Sequence, residues 1–405
     1  MSSYAAVLRT PHAARTFGAA LLGRLSYGTV SLSLVLAVKD ASGSFAVAGT
    51  DMALFGATSV VLSPARAALV DRHGPRRALV PMAALYAALL AALAWATARP
   101  GAPGALLGAL VVTAGACTPP LGPAMRTLWS QLLPDRRMLQ RAYSLDGVAE
   151  ELLFVTGPLL VGVLVTYAEP AMGLAISAAL VLVGTLGLVA SPVPFPLRAA
   201  RVGPKSSTPR TGPRPLARPV LAAACVGLCL GGLELLVVAF TEDLNRPGAV
   251  SWVLAALSAG SAVGGLANGA VSWRSSARTR LPAFCGALGL VLALAGLAPN
   301  AYVLAGTAAL AGLFVAPALT TAYLIADETA APGDRTKAGA WVNTAVNAGS
   351  STGTAAAGLL AGSLPLAACF ALTAAPALLA AVPILGANTG RAREGSRRLR
   401  PEPGP

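Results

Sequence analysis

Long apolar blocks separated by short, basic connectors run the length of this chain. A block of roughly 18 or more apolar residues can cross a bilayer core of about 30 Å. Twelve blocks qualify, at about 16–38, 44–70, 78–98, 104–130, 142–167, 171–191, 219–241, 249–273, 281–298, 301–326, 338–362 and 365–387. Backbone polar groups in lipid must be satisfied within the segment, so each block is predicted to be a helix. The predicted fold class is an all-α polytopic membrane protein with twelve transmembrane helices in two pseudo-symmetric six-helix bundles.

The halves are predicted at 1–191 and 219–390. The stretch 192–218 is rich in Pro, Ser and Arg and is read as a cytoplasmic linker, because it holds too little apolar surface to bury. Residues 391–405 are read as a disordered basic tail. Weak internal repetition supports two halves. Arg141-Ala142 precede Gly157 and Gly162; Lys337-Ala338 precede Gly353 and Gly358 at the same spacings, 196 residues later. A fold built by internal duplication leaves this kind of trace.

Composition excludes a soluble domain. Only 11% of the 405 residues are charged and 55% are hydrophobic, against about 25% charged in soluble proteins. The net charge of +14 would suit a nucleic-acid partner if the cations shared a soluble face, but they sit between apolar blocks. Their distribution instead reports topology: with the N-terminus inside, 26 Lys and Arg fall in cytoplasmic segments and 3 outside (Lys39, Arg99 and Arg246). Both termini are therefore expected in the cytoplasm of a cell that carries this protein in its inner or plasma membrane. Trp95, Trp129, Trp252 and Trp273 fall at predicted span ends, where indoles favour the headgroup level.

Several chemistries find no support. The five cysteines lie inside apolar blocks and read as small apolar fillers rather than a disulfide framework. The N-terminus lacks a signal-peptide pattern, so the first block is expected to remain as a span. No P-loop is present, and the two histidines, His12 and His73, lie near loops. No enzyme, cofactor or metal site is expected.

The connector after the second block reads ALVDRHGPRRALV. Here the chain resembles the major facilitator superfamily, whose signature in this loop is Gly-x-Leu-x-Asp-Arg-x-Gly-Arg-Lys/Arg. Leu69, Asp71, Arg72, Gly74, Arg76 and the following Leu79 match, and Arg77 adds a second basic residue. Ala67 stands where the first Gly is usual, and Pro75 where an Arg is usual. The resemblance implies the superfamily's twelve-helix fold, and a conformational latch at Asp71, Arg72, Gly74, Arg76 and Arg77. Asp71 would face the positive N-terminus of span 11 near Lys337 to Ala340, and Arg72 or Arg76 would pair with Asp135. The same charges would also serve merely to anchor a short loop. In span 5, VTGPLLVG partly resembles the Gly-Pro motif of antiporting members. Gly157, Pro158 and Gly162 match it, and Val161 departs from it. These three are hinge or packing candidates, since Pro removes a backbone hydrogen bond and Gly permits close approach.

Ionisable residues inside spans are costly in lipid and mark partners or cavities. The set is Arg24, Asp51, Arg126, Asp146, Glu150, Glu151 and Glu234. At about 1.5 Å per residue, Arg24 and Glu151 lie at similar depth, roughly 13–15 Å from the cytoplasmic side. Arg24 is expected to pair with Glu151 or Glu150, and Arg126 with Asp146 or Glu150. Glu150 and Glu151 point about 100° apart, so they cannot share one role. The proton-coupling candidates are Glu151, Glu234, Glu150 and Asp51; a structural Arg24–Glu151 pair and a locally bonded Glu234 are the plain alternative. Tyr27, Tyr323, Trp341, Asn343 and Asn347 are candidates for lining a substrate cavity or for joining helices by hydrogen bonds.

Together these features point to a secondary transporter taking a small-molecule substrate and protons across the lipid bilayer, functional as a monomer. Proton-coupled export of a small amphipathic molecule leads; proton-coupled import of a nutrient is the first alternative, and a non-transporting receptor or scaffold the second.

Overall fold

A computed structural model of the chain describes residues 4–192 and 214–398, apart from Pro100, Pro134, Pro247, Pro332 and Gly362, and omits the side chains of 214–215 and 383–398. Fifteen helices and no strand occur among the described residues. They are α1 (Tyr4–Arg9), α2 (Ala13–Ser42), α3 (Phe45–Val61), α4 (Ser63–His73), α5 (Pro75–Thr97), α6 (Gly104–Cys117), α7 (Leu121–Leu132) and α8 (Arg136–Leu164). The chain continues through α9 (Pro170–Val189), α10 (Arg214–Asp243), α11 (Ala249–Ala270), α12 (Ala277–Ala295), α13 (Ala301–Thr329), α14 (Arg335–Ala361) and α15 (Leu366–Arg398).

Each predicted span has a helix or helix pair at its place. Among the described residues nine helices are long and apolar enough to cross a membrane, with α6 and α7 taken as one, and a tenth if α3 and α4 form one span bent by 42°. The helix α14 is more polar, and the apolar part of α15 shorter. Two predicted boundaries move. The helix α10 begins at Arg214, inside the expected linker, whose residues 193–213 lie outside the described residues. The helix α15 continues to Arg398, past the expected start of the tail at 391. The run Arg-Ala-Arg-Glu favours helix and lets the last turns propagate from the apolar segment. Residues 399–405 lie outside the described residues.

Local chemistry sets the ends. Ser44 caps α3 by accepting from the Val47 amide, and Asp135 caps α8 by accepting from the Met138 amide at 2.9 Å. Gly74, between α4 and α5, has φ of +81°, a conformation open to glycine and strained for other residues. Two apolar blocks predicted as single helices are interrupted. One bends at Leu62, between α3 and α4. The other breaks at Thr118-Pro119-Pro120, between α6 and α7. Proline lacks the amide that would close the ladder, so a pair of them ends α6.

The chain divides into two compact units. One comprises Met1–Leu216 with Ala326–Thr344, the other Ala217–Ile325 with Ala345–Pro405. Small residues set the packing inside each. In the first, a Cβ on Gly157 of α8 would stand 2.4 Å from the backbone of Gly28 in α2. One on Gly184 of α9 would stand 2.1 Å from that of Gly23. In the second, Gly260 and Gly264 of α11 lie against the backbone of Ala309 and Leu313 in α13. Close backbone approach through small residues is the usual way membrane helices associate.

Candidate functional site

Four charged side chains meet in the first unit. Asp146 and Glu150 are one turn apart on α8, so they share a face. Arg24 of α2 and Arg126 of α7 lie against that face. Arg24 reaches Asp146 with Nη1 at 2.7 Å and Glu150 with Nη2 at 3.0 Å. Arg126 reaches Asp146 with Nε at 3.0 Å and Glu150 with Nη2 at 2.5 Å. Each guanidinium thus bridges both carboxylates, and the quartet carries no net formal charge. Arg24, Arg126 and Asp146 are buried, while the side chain of Glu150 keeps 28% of its surface exposed. The Tyr143 hydroxyl donates to the Arg126 carbonyl and helps fix α7 against α8.

This arrangement settles which acids answer the two arginines. Arg126 takes both of its expected partners. Arg24 takes Glu150 and Asp146, and Glu151 is not the acid that holds it. The reason is helical phase: Glu150 is four residues from Asp146, and Glu151 is turned about 100° away. Asp51 is elsewhere, buried on α3 with its Oδ1 close to Gly108 of α6 and with no cation within ion-pair distance among the described residues. Glu234 belongs to the second unit; its side chain is exposed on α10 with no ion pair among the described residues.

A second polar centre surrounds α4. The Asp71 carboxylate accepts from the backbone amides of Thr336, at 3.3 Å, and Lys337, at 2.9 Å, in the first turn of α14. Both amides are otherwise unpaired in a helix N-terminus, so the carboxylate caps α14 and meets the positive end of its dipole. That is the contact expected of Asp71. The expected pair from Arg72 or Arg76 to Asp135 does not form among the described residues. Arg72, Arg76 and Arg77 are exposed, and Asp135 spends its carboxylate on its own helix. The first turn of α14 is held by α7 as well: Thr336 bonds Thr127 at 3.0 Å and Arg335 donates to Ser130 at 3.1 Å.

The remaining candidates scatter. Gly157 lies in close contact, as above, but Gly162 has open space where a side chain would stand, with no atom of another helix within 4 Å of it among the described residues. Pro158 lies within the continuous α8. Tyr27, in the first unit, donates its hydroxyl to the Pro119 carbonyl at the α6–α7 break. Asn343 is also in the first unit, with Trp341, which is exposed; Tyr323 and Asn347 are in the second.

Sequence reasoning missed Arg66. It counted as one of the cytoplasmic loop cations, yet it is 6% exposed and donates to three backbone carbonyls, those of Gly115, Ala116 and Ser59. The signal was available in the spacing: Arg66 lies five residues before Asp71, inside the predicted apolar block at 44–70. The pairs Arg136–Glu328 at 3.2 Å and Arg335–Asp327 at 3.7 Å were also unforeseen. No group of three or more metal-ligating side chains comes together among the described residues.

Comparison with known proteins is consistent at every level but one. No curated protein matches the chain. A bacterial homologue of the iron transporter ferroportin, solved in the outward-facing state, superposes with a TM-score of 0.73 at 14% identity, covering 93% of this chain and 99% of its own. The human organic anion transporter MFSD10 gives 0.70 at 17% identity, covering 92% and 98%. The E. coli fucose:proton symporter gives 0.69 at 16%, covering 94% and 98%. At such identities these likenesses speak for the fold alone. The sequence pattern of the Major Facilitator Superfamily matches residues 16–240 and 219–404, nearly the whole chain. On that match, and with the helical architecture just described, this chain belongs to the Major Facilitator Superfamily.

Proposed function

We propose that this protein exports a small organic molecule in exchange for protons. Membership of the superfamily makes it a secondary transporter working by alternating access, and not an enzyme. The single observation behind proton coupling is the quartet of Arg24, Arg126, Asp146 and Glu150. A charge-balanced cluster in a membrane helix bundle is a place where one proton changes a great deal. Protonating Glu150 would leave two guanidiniums facing one carboxylate, and the excess positive charge must then be answered by rearrangement, by substrate or by release of the proton. Glu150 is the member with an exposed face, so it is the one a proton can reach.

Export is favoured by the Gly157-Pro158 pair, which resembles the antiporter motif. Asp71 on the first turn of α14 acts as the latch, with Gly74 shaping the turn that follows it. Both termini are in the cytoplasm.

The test is Glu150→Gln in proteoliposomes with a lumenal pH dye, using ethidium as the first probe and a panel of organic acids as the second. The wild type is expected to move protons when an outward probe gradient is imposed. Glu150→Gln is expected to lose that proton movement while keeping probe exchange down its own gradient. Proton movement of wild-type size in the variant overturns the assignment. Probe uptake that follows the proton gradient inward would make the protein an importer.

A further inference from the structure

Three prolines fall at or just after the break in the fourth span: Pro119 and Pro120 between α6 and α7, and Pro123 in the first turn of α7. In an unbroken helix their amides would donate to the carbonyls four residues earlier, at Gly115, Ala116 and Pro119. Proline has no such amide, and a buried carbonyl left alone in a membrane helix is costly. Side chains from other helices reach all three carbonyls, beside the local donors that Gly115 has in Thr118 and that Pro119 has in the Leu121 amide. Arg66 Nη1 donates to Gly115 at 2.5 Å and to Ala116 at 3.0 Å. The Tyr27 hydroxyl donates to Pro119.

Arg66 does the same at a second break. Its Nη2 donates to the Ser59 carbonyl, beside the bend at Leu62, and the neighbouring Val60 carbonyl accepts from Thr344 of α14 at 3.1 Å. No carboxylate lies within ion-pair distance of Arg66 among the described residues; helix ends supply its negative partners. The short helix α4 is therefore fastened at both ends by opposite charges. Arg66 sits on the carbonyl end of α6, and Asp71 on the amide end of α14. Each contact matches the sign of the helix dipole it meets.

We propose that Arg66 is a positioning residue for transport: it ties the α6–α7 break to α4, so that the break and the Asp71 contact on α14 loosen together. Beyond the break, α7 carries Arg126 into the buried quartet and Thr127 and Ser130 onto α14. Arg66 is thus the joint through which the latch reaches the span that holds the quartet. This rests on the latch reading of Asp71, which one arm of the experiment tests separately.

Hydrogen exchange of the full-length protein in lipid nanodiscs reads the coupling directly, because Thr336 and Lys337 present the very amides that Asp71 holds. Asp71→Asn should speed exchange at 336–337; if it does not, the latch reading fails, whatever Arg66 does. Arg66→Gln should speed exchange at 115–122 and also, roughly fivefold to tenfold, at 336–337. Tyr27→Phe removes one of the two donors to the Pro119 carbonyl, which keeps the Leu121 amide, and it breaks no hydrogen bond to α4, so it should loosen 115–122 and leave 336–337 unchanged. Adding Pro119→Ala and Pro120→Ala to Arg66→Gln returns the missing amides; it should restore 115–122 and leave 336–337 fast. Arg66→Lys, which keeps the charge but loses the planar fork, carries the same test should Arg66→Gln fail to fold. Native exchange at 336–337 in the Arg66 variants, or an equal rise there in Tyr27→Phe, overturns the proposal and leaves Arg66 as a local cap.

Discussion

Asp146 has no exposed surface and touches both guanidiniums of the quartet. Asp146→Asn keeps its shape and removes its charge, which leaves Arg24 and Arg126 sharing Glu150 alone. Breaking a buried pair from one side costs about 3–5 kcal/mol, more than removing both partners together. Thermal unfolding in detergent should show a clear drop for Asp146→Asn. The double variant Arg126→Met, Asp146→Leu leaves the neutral Arg24–Glu150 pair and should recover much of the loss. If the double is as unstable as the sum of the singles, the four charges do not act as a unit. At this scale the sequence was legible where burial in lipid demands a partner. Counting residues from the membrane edge put Arg24 at the depth of the acids on α8, but it could not choose between Glu150 and Glu151. The periodicity of Asp146 and Glu150 held that choice. Arg66 was illegible for a different reason: its partners are backbone carbonyls freed by prolines some fifty residues away, and a count of loop charges takes no account of them.

Helices in this protein approach where side chains are missing, and glycines one turn or so apart do not all contribute. Gly157 of α8 meets Gly28 of α2 backbone to backbone, while Gly162 faces open space. Gly157→Ala would place a methyl 2.4 Å from a main-chain carbon, so α2 and α8 must separate. Overpacking of this kind costs about 1–3 kcal/mol, whereas Gly162→Ala should change stability by no more than about 0.5 kcal/mol. Paired melting curves check both. An equal response would mean that the Gly-Pro segment acts through backbone freedom and not through contact. The position of each span was legible in hydrophobicity, because crossing lipid demands about twenty apolar residues whatever else they do. The interruption at Leu62 was not, since a bent span is as apolar as a straight one; the one at Thr118-Pro119-Pro120 carried its signal in the paired prolines, which hydrophobicity alone does not weigh.

The sense in which the whole chain threads the bilayer is expected to follow its charges, and α12 offers a compact way to read it. The connector before α12 and the first turn of α12 together hold Arg274, Arg278 and Arg280; the connector after it, from Gly296 to Asn300, holds no charge. Positive segments resist translocation, so the first connector should stay in the cytoplasm and the second should emerge outside. The native thiols give a low background for labelling: Cys229, Cys285 and Cys369 are buried, and Cys117 and Cys225 are half-buried. A membrane-impermeant maleimide applied to intact cells should therefore label Pro299→Cys and spare Ser275→Cys until the membrane is opened. Both positions are exposed in the structure, so absence of label at either reports its side of the membrane and not burial. The reverse pattern would invert the topology, place both termini outside, and set the Asp71 contact on the outer face. Label at both positions, or at neither, would mean that α12 does not cross, and the even number of spans that keeps the two ends together would be lost.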